Sequence, residues 1–158
     1  FIGGEEPKIE TETLKLLGSC DGTKFTNANM VLSAHCNRVH VQDGHLECIS
    51  IEFEKRPGKT PEEMTEAVKK VLRDFSAEPQ TMQLPFAPLH PIYITEEDNR
   101  PQTKLDRDIG QGMGIAVGRL RPDSVLDFKC VALSHNTVRG AAGEAILVAE
   151  LLRAQGYL

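Results

Sequence analysis

From Thr60 to Phe75 the chain reads TPEEMTEAVKKVLRDF, and this stretch narrows what the remainder can be. Thr60 and Glu63 make a capping box, and Pro61 takes the first helical position, where its missing N–H costs nothing. Met64, Ala67, Val68, Val71, Leu72 and Phe75 recur at helical spacing, so the sequence predicts an amphipathic helix over 61–75. Such a helix must bury its apolar side against another layer, and the segments around it alternate with period two. Residues 30–41 and 46–54 read as strands, with Asp43-Gly44 as the turn signal between them. Residues 113–120 and 125–133 read as a second strand pair joined by RPDS, a type I turn sequence, and Ile92-Tyr93-Ile94 as a short strand. The expected class is α+β, with helices covering a mixed or antiparallel sheet.

Two further helices bracket this arrangement. Glu5 and Glu6 suit the positive end of a helix over 7–17, which opens on Pro7 and stops near Gly18. At the other end GAAGEAILVAELLRAQG, residues 140–156, is apolar on much of its surface and asks for burial on more than one side. Prolines at 79, 85, 88 and 91 forbid regular helix through 77–91, and 97–111 is polar and loop-like. No internal repeat or low-complexity tract interrupts the order.

A length of 158 residues is enough for one domain with its own core. The net charge of −5 argues against nucleic acid as a partner, since phosphate backbones demand clustered Lys and Arg. No apolar run is long enough to span a membrane. Cys20, Cys36, Cys48 and Cys130 form no CxxC pair and match no zinc framework. Four cysteines are few for a secreted disulfide scaffold, and the expected compartment is the cytoplasm.

The chemistry concentrates in NRVHVQDGHLEC, residues 37–48. Strand alternation puts Cys36, Arg38 and His40 on one side, and a hairpin about Asp43-Gly44 would return His45 toward Arg38. Three readings stand. His40, His45 and Cys48 could gather a metal, against which the spacing fits no established pattern and zinc needs three or four convergent ligands. The polar residues could be a solvated sheet edge. Or Arg38 could hold a small acid through its planar fork while a histidine moves protons beside it.

Four stretches resemble the aspartate-semialdehyde dehydrogenase family in its fungal and archaeal branch: FIGGEEPKIETETLK at 1–15, SAHCNRVHVQDGHLEC at 33–48, RPQTKLDRDIGQGMGIAVGR at 100–119 and LSHNTVRGAAGEAILVAELL at 133–152. They span nearly the whole chain. The resemblance implies a catalytic domain of the glyceraldehyde-3-phosphate-dehydrogenase type and a part in NADPH-dependent reduction of aspartyl phosphate to aspartate semialdehyde and phosphate, toward lysine, methionine and threonine. By motif, Arg38 would clamp the substrate carboxylate and His45 would be the acid–base catalyst. Glu5 would orient the substrate amino group, Lys8 would hold phosphate, and Asn136 would meet the nicotinamide carboxamide. Without the resemblance, Glu5 and Lys8 read as a charged helix start and Asn136 as a helix-start residue. No metal is implied.

The departures are as informative. The family's Rossmann domain, with its glycine-rich strand-to-helix turn, has no counterpart here. GQGMGIAVG at 110–118 leads into a strand, not a helix, so it is no phosphate loop. None of the four cysteines stands in the family's nucleophile context, and Cys36 reads as a buried strand residue. Residues 1–138 are therefore expected to be the catalytic and dimerising part, and 139–158 a helix that returns to an absent nucleotide-binding domain. This chain alone should neither bind NADP(H) tightly nor turn over, and it should pair through its sheet as a homodimer or tetramer. Two alternatives remain: a related acyl-phosphate reductase of the N-acetylglutamyl or aminoadipyl type, and a non-enzymatic dimerising domain.

Overall fold

In the computed structural model, which describes residues 2–158, the chain divides after His40 into two units. In the first, α1 spans Glu5–Leu16 and begins two residues earlier than expected, because Gly4 adopts φ 84° and lets the chain turn into the helix. Gly18 is glycine for a different reason from the expected helix stop. A Cβ there would lie 2.1 Å from the carbonyl oxygen of Thr26, so only a bare backbone lets the short strands β1 (Ser19–Cys20) and β2 (Phe25–Thr26) close beside the helix end. Asp21 fixes the turn between them by accepting the backbone N–H groups of Thr23 and Lys24, each at 2.8 Å.

The strand expected over 30–41 does not form. Its apolar content suits a strand, but a ladder needs a neighbouring backbone, and here side chains of α1 take that role. Glu10 accepts the N–H of Ala34 at 2.9 Å and Glu6 accepts that of Cys36 at 2.8 Å. The carbonyl of Cys36 in turn accepts from Ile2. The segment is extended, and Cys36 is half-buried in it, but it belongs to no sheet.

The second unit is built on four strands, β3 (His45–Ile51), β4 (Ile92–Thr95), β5 (Ile115–Pro122) and β6 (Phe128–Ser134), in the order β3-β6-β5-β4. Strands β3 and β5 flank β6 antiparallel, and β4 runs parallel to β5, so the sheet is mixed. The hairpin expected about Asp43-Gly44 is thus replaced by a long-range pairing in which His45 lies opposite Ser134. Helix α2 (Pro61–Asp74) carries its capping box as expected and lays Met64, Val68 and Leu72 on one sheet face, over Val117, Leu120, Phe128, Cys130 and Ala132. Val71, assigned to the apolar face by periodicity, is exposed.

One irregularity makes this face possible. Between Gly118 and Arg121 on β5 the partner strand advances only from Val131 to Lys129, so β5 carries an extra residue. Arg119 takes it up at φ 53° and turns outward, which brings both Val117 and Leu120 to the buried side. The proline-rich stretch contains a single helical turn, α3 (Glu78–Thr81), with Pro79 in its first turn. Leu84 from this stretch packs with Met113 and Leu147 in a second cluster. The polar 97–111 segment is more ordered than expected, with one turn of helix α4 (Thr103–Asp106) and a tight turn at 109–112. After a π-type turn over 138–142, helix α5 runs Gly143–Ala154, burying Leu147 and leaving Ile146 and Val148 exposed. As expected from the sequence, the glycines of 110–118 run into β5 and open no helix.

Candidate active site

Of the residues singled out from sequence, Glu5, Lys8 and Arg38 belong to the first unit and His45 and Asn136 to the second. In the first, Glu5 and Lys8 occupy the opening of α1, Glu5 half-buried and Lys8 exposed. Arg38 is exposed, two residues beyond the last carboxylate tether of the 30–41 segment. Among the described residues, no side-chain hydrogen bond or ion pair engages Lys8, Arg38 or His45. His45 is not without an electrostatic neighbour: burial pushes up the carboxyl of Glu47, two residues on along β3, and the charge of His45 draws it down by less.

In the second unit His45 opens β3 with its side chain exposed. Its backbone is held from both sides. On one side is the register with Ser134. On the other is Gly44, buried at φ 109°, whose N–H donates to the side-chain oxygen Oδ1 of Asn136 at 2.8 Å. A Cβ on Gly44 would lie 3.1 Å from Cδ1 of Leu133 and 3.2 Å from Cγ2 of Thr103, so the glycine is both conformationally and sterically required. Thr103 is placed by the loop behind it. There the buried Asp106 accepts Nε of Arg100 at 2.7 Å and the N–H of Gln102 at 2.6 Å, with a second contact from Nη2 of Arg100. The Arg100 guanidinium is the main reason the Asp106 carboxyl lies below the ordinary carboxylate range.

Sequence reasoning passed over His135, which is 7% exposed. Its Nδ1 accepts the N–H groups of Thr137 and Val138, both at 3.4 Å, which leaves the ring proton on Nε2, 3.7 Å from Asp108. The imidazole thereby shapes the turn that carries Asn136. Its signal was present in the run LSHN directly after a strand, but a neighbouring histidine at a strand end has many uses. The Arg100–Asp106 pair was equally visible as residue types and equally silent about its geometry.

Cysteine chemistry finds little support. Burial pushes the Cys130 thiol above its ordinary value, the wrong direction for a nucleophile. Cys48 is exposed on the outer strand β3. Among the described residues no three His, Cys, Asp or Glu side chains gather closely enough to hold a metal ion. No helix among the described residues is long and apolar enough to cross a membrane. The glycine-rich run at 110–118 does not fit a dinucleotide's phosphates, because it enters β5 and does not open a helix whose N-terminal N–H groups could hold them.

Comparison with known proteins gives the family and the fold. A family described as semialdehyde dehydrogenase, dimerisation domain, matches residues 1–139. Aspartate-semialdehyde dehydrogenase of Candida albicans is 46% identical over 163 residues, covering all of this chain and 44% of that protein. The corresponding protein of the archaeon Methanothermobacter thermautotrophicus is 46% identical over 154 residues, covering 96% of this chain and 43% of the relative. The chain thus spans less than half the length of the relatives it matches. Among solved structures, aspartate semialdehyde dehydrogenase with NADP from Candida albicans superposes with a TM-score of 0.88 at 45% identity, over 100% of this chain and 44% of that one. The Vibrio cholerae aspartate semialdehyde dehydrogenase II, at 21% identity and a TM-score of 0.51 over 75% of this chain, shares the fold.

Proposed function

Since the chain belongs to the semialdehyde dehydrogenase dimerisation-domain family, we propose that it is the substrate-holding and dimerising part of an aspartate-semialdehyde dehydrogenase. The whole enzyme reduces aspartyl phosphate to aspartate semialdehyde and phosphate with NADPH. The observation that carries this reading is similarity across the whole chain, in sequence and in fold, to an enzyme of that name solved with NADP. The same similarity covers all four stretches on which the residue roles rest.

In this reading Arg38 grips the substrate carboxylate with its planar fork, and Lys8 offers a point charge to the phosphate. Glu5 orients the substrate amino group. His45, exposed at the start of β3, takes and returns the proton at the reacting carbonyl oxygen. When bound, NADPH supplies the reducing equivalent. In the same reading the phosphate cradle and the nucleophilic cysteine belong to the rest of the enzyme, since none of the four cysteines stands in the family's nucleophile context and the glycine run enters a strand. Residues 139–158, with α5 at their centre, are the segment that returns to the nucleotide-binding domain, which accounts for the exposed Ile146 and Val148. Two copies pair through the sheet, and the protein works in the cytoplasm.

The test uses the whole enzyme and follows phosphate-dependent NADPH formation from aspartate semialdehyde. His45→Asn should lower turnover about 10²- to 10⁴-fold, the usual span for a lost acid–base group. Arg38→Lys should chiefly raise the KM for the semialdehyde. Preference for an N-acetylglutamyl or aminoadipyl semialdehyde would move the protein to a related reductase, and no activity with any of them would leave only the dimerising role.

A further inference from the structure

Resting on the reading of His45 as the acid–base group, we infer that Asn136 is a positioning residue for that histidine, acting through the backbone of Gly44. The side chain of Asn136 reaches from the turn after β6 to the N–H of Gly44, 92 positions away in sequence, at 2.8 Å. That donor belongs to a buried residue at φ 109°, the last one before His45. A buried N–H in such a conformation has no ladder partner to accept it, and Asn136 supplies the acceptor.

The arrangement is supported at each contact. Asn136 follows Ser134 by two residues, and Ser134 is the register partner of His45, so the end of β6 and the turn after it set both the ladder and the tether. Between them His135 is buried, with Nδ1 accepting from the N–H groups of Thr137 and Val138. That ring fixes the turn in which the Asn136 amide is presented. On the far side of Gly44, Thr103 and Leu133 close the space a Cβ would need. The imidazole of His45 is itself exposed and makes no side-chain hydrogen bond among the described residues; Glu47, two residues on along β3, is the charged group that acts on it electrostatically, so its placement is set chiefly by its backbone. With the tether in place the ring leaves the sheet from a defined point. Without it, residue 44 can reorient to pair its N–H with water, and the ring moves with it.

The tether also divides the amide of Asn136 into two halves. Its oxygen is committed to Gly44, while its two N–H donors remain for a carbonyl oxygen of a bound molecule. A variant can therefore keep one half and lose the other. Asn136→Asp retains an acceptor oxygen on the same stem and has no donors, whereas Asn136→Ala loses both.

The experiment compares these two variants with wild type in the whole enzyme, measuring kcat, both KM values and the pH profile. Asn136→Ala should lower kcat about 10- to 100-fold, the scale on which misplacing a catalytic group acts. Its KM for aspartate semialdehyde should change less than kcat does, and the histidine limb of its pH profile should shift or flatten. Asn136→Asp should recover most of the lost kcat. Failure of the aspartate to recover kcat, with an unshifted pH profile and a raised KM for NADP in both variants, would overturn the inference in favour of a cofactor contact alone. A lowered melting temperature with kcat per folded enzyme unchanged would overturn it in favour of a purely structural tie. His45→Asn at full turnover would remove the reading of His45 and this inference together, and is separable because it needs no change at Asn136.

Discussion

Replacing Gly44 with alanine tests how tightly the start of β3 is built. At φ 109° an L-residue is strained, which costs about 1–3 kcal/mol. The new methyl would stand 3.1 Å from Cδ1 of Leu133 and 3.2 Å from Cγ2 of Thr103. Leu133 is 1% exposed and has nowhere to retreat, so overpacking adds about 1–2 kcal/mol. The sum is about 3 kcal/mol. Gly156 gives the control within the same unit: it has φ 81°, and nothing lies within 4 Å of where its Cβ would stand. It ends α5 with the paired bonds of a Schellman motif, Gly156 N–H to Arg153 and Tyr157 N–H to Leu152, so alanine there costs strain alone, about 1 kcal/mol. Urea unfolding followed by circular dichroism reads the difference. With a slope of about 2 kcal/mol/M, Gly44→Ala should move the midpoint about 1.5 M lower and Gly156→Ala about 0.5 M. Equal shifts for the two variants would refute the steric half of the reasoning and show that Leu133 or Thr103 yields.

Two further measurements probe the elements around that point. Asp106→Ala leaves the half-buried Arg100 guanidinium and the Gln102 N–H without their acceptor, and should lower stability by about 3 kcal/mol in the same titration. The carboxyls of Asp106, Asp123 and Asp127 all lie below the ordinary aspartate value, Asp123 at about 2, so the stability they contribute is present above that ordinary value and is lost as pH falls through their folded values. An acid titration should therefore show destabilisation beginning below about pH 4, and Asp106→Asn should flatten it. Thr60→Ala removes one half of the α2 capping box and should cost about 1 kcal/mol, with Glu63→Ala costing less than that again in the Thr60→Ala background.

What was legible in the sequence was what neighbours in the chain decide. Thr60, Pro61 and Glu63 specify where α2 starts, and the period of Met64, Val68 and Leu72 specifies which side it buries. The strands at 45–51, 92–95, 115–122 and 128–134 followed from composition and turns. Their order did not, because the partner of β3 is β6, with Ile51 opposite Phe128 and His45 opposite Ser134 far along the chain, and no local rule selects it over the segment across the Asp43-Gly44 turn. The bulge at Arg119 was equally hidden: alternation alone puts Leu120 on the wrong face. In the candidate site, Arg38 and His45 stood out by residue type and by family resemblance, Asn136 by the resemblance alone. The bond between Asn136 and Gly44 was not visible in either, since a backbone N–H has no letter in a sequence.

The stretch held by Glu6 and Glu10 has a consequence for how this chain tolerates change. Four residues of α-helix rise about 6 Å, and two residues of extended chain rise about 6.6 Å. The two repeats are commensurate, which lets Glu10 meet Ala34 and Glu6 meet Cys36 in antiparallel sense, the helix standing in for a missing strand edge. Commensurate contacts fix a phase. Inserting one residue between the glutamates turns one of them about 100° away, and inserting one between Ala34 and Cys36 points the second N–H to the opposite side. The spacing from Glu6 to Glu10 and from Ala34 to Cys36 therefore cannot change without breaking one of the two tethers.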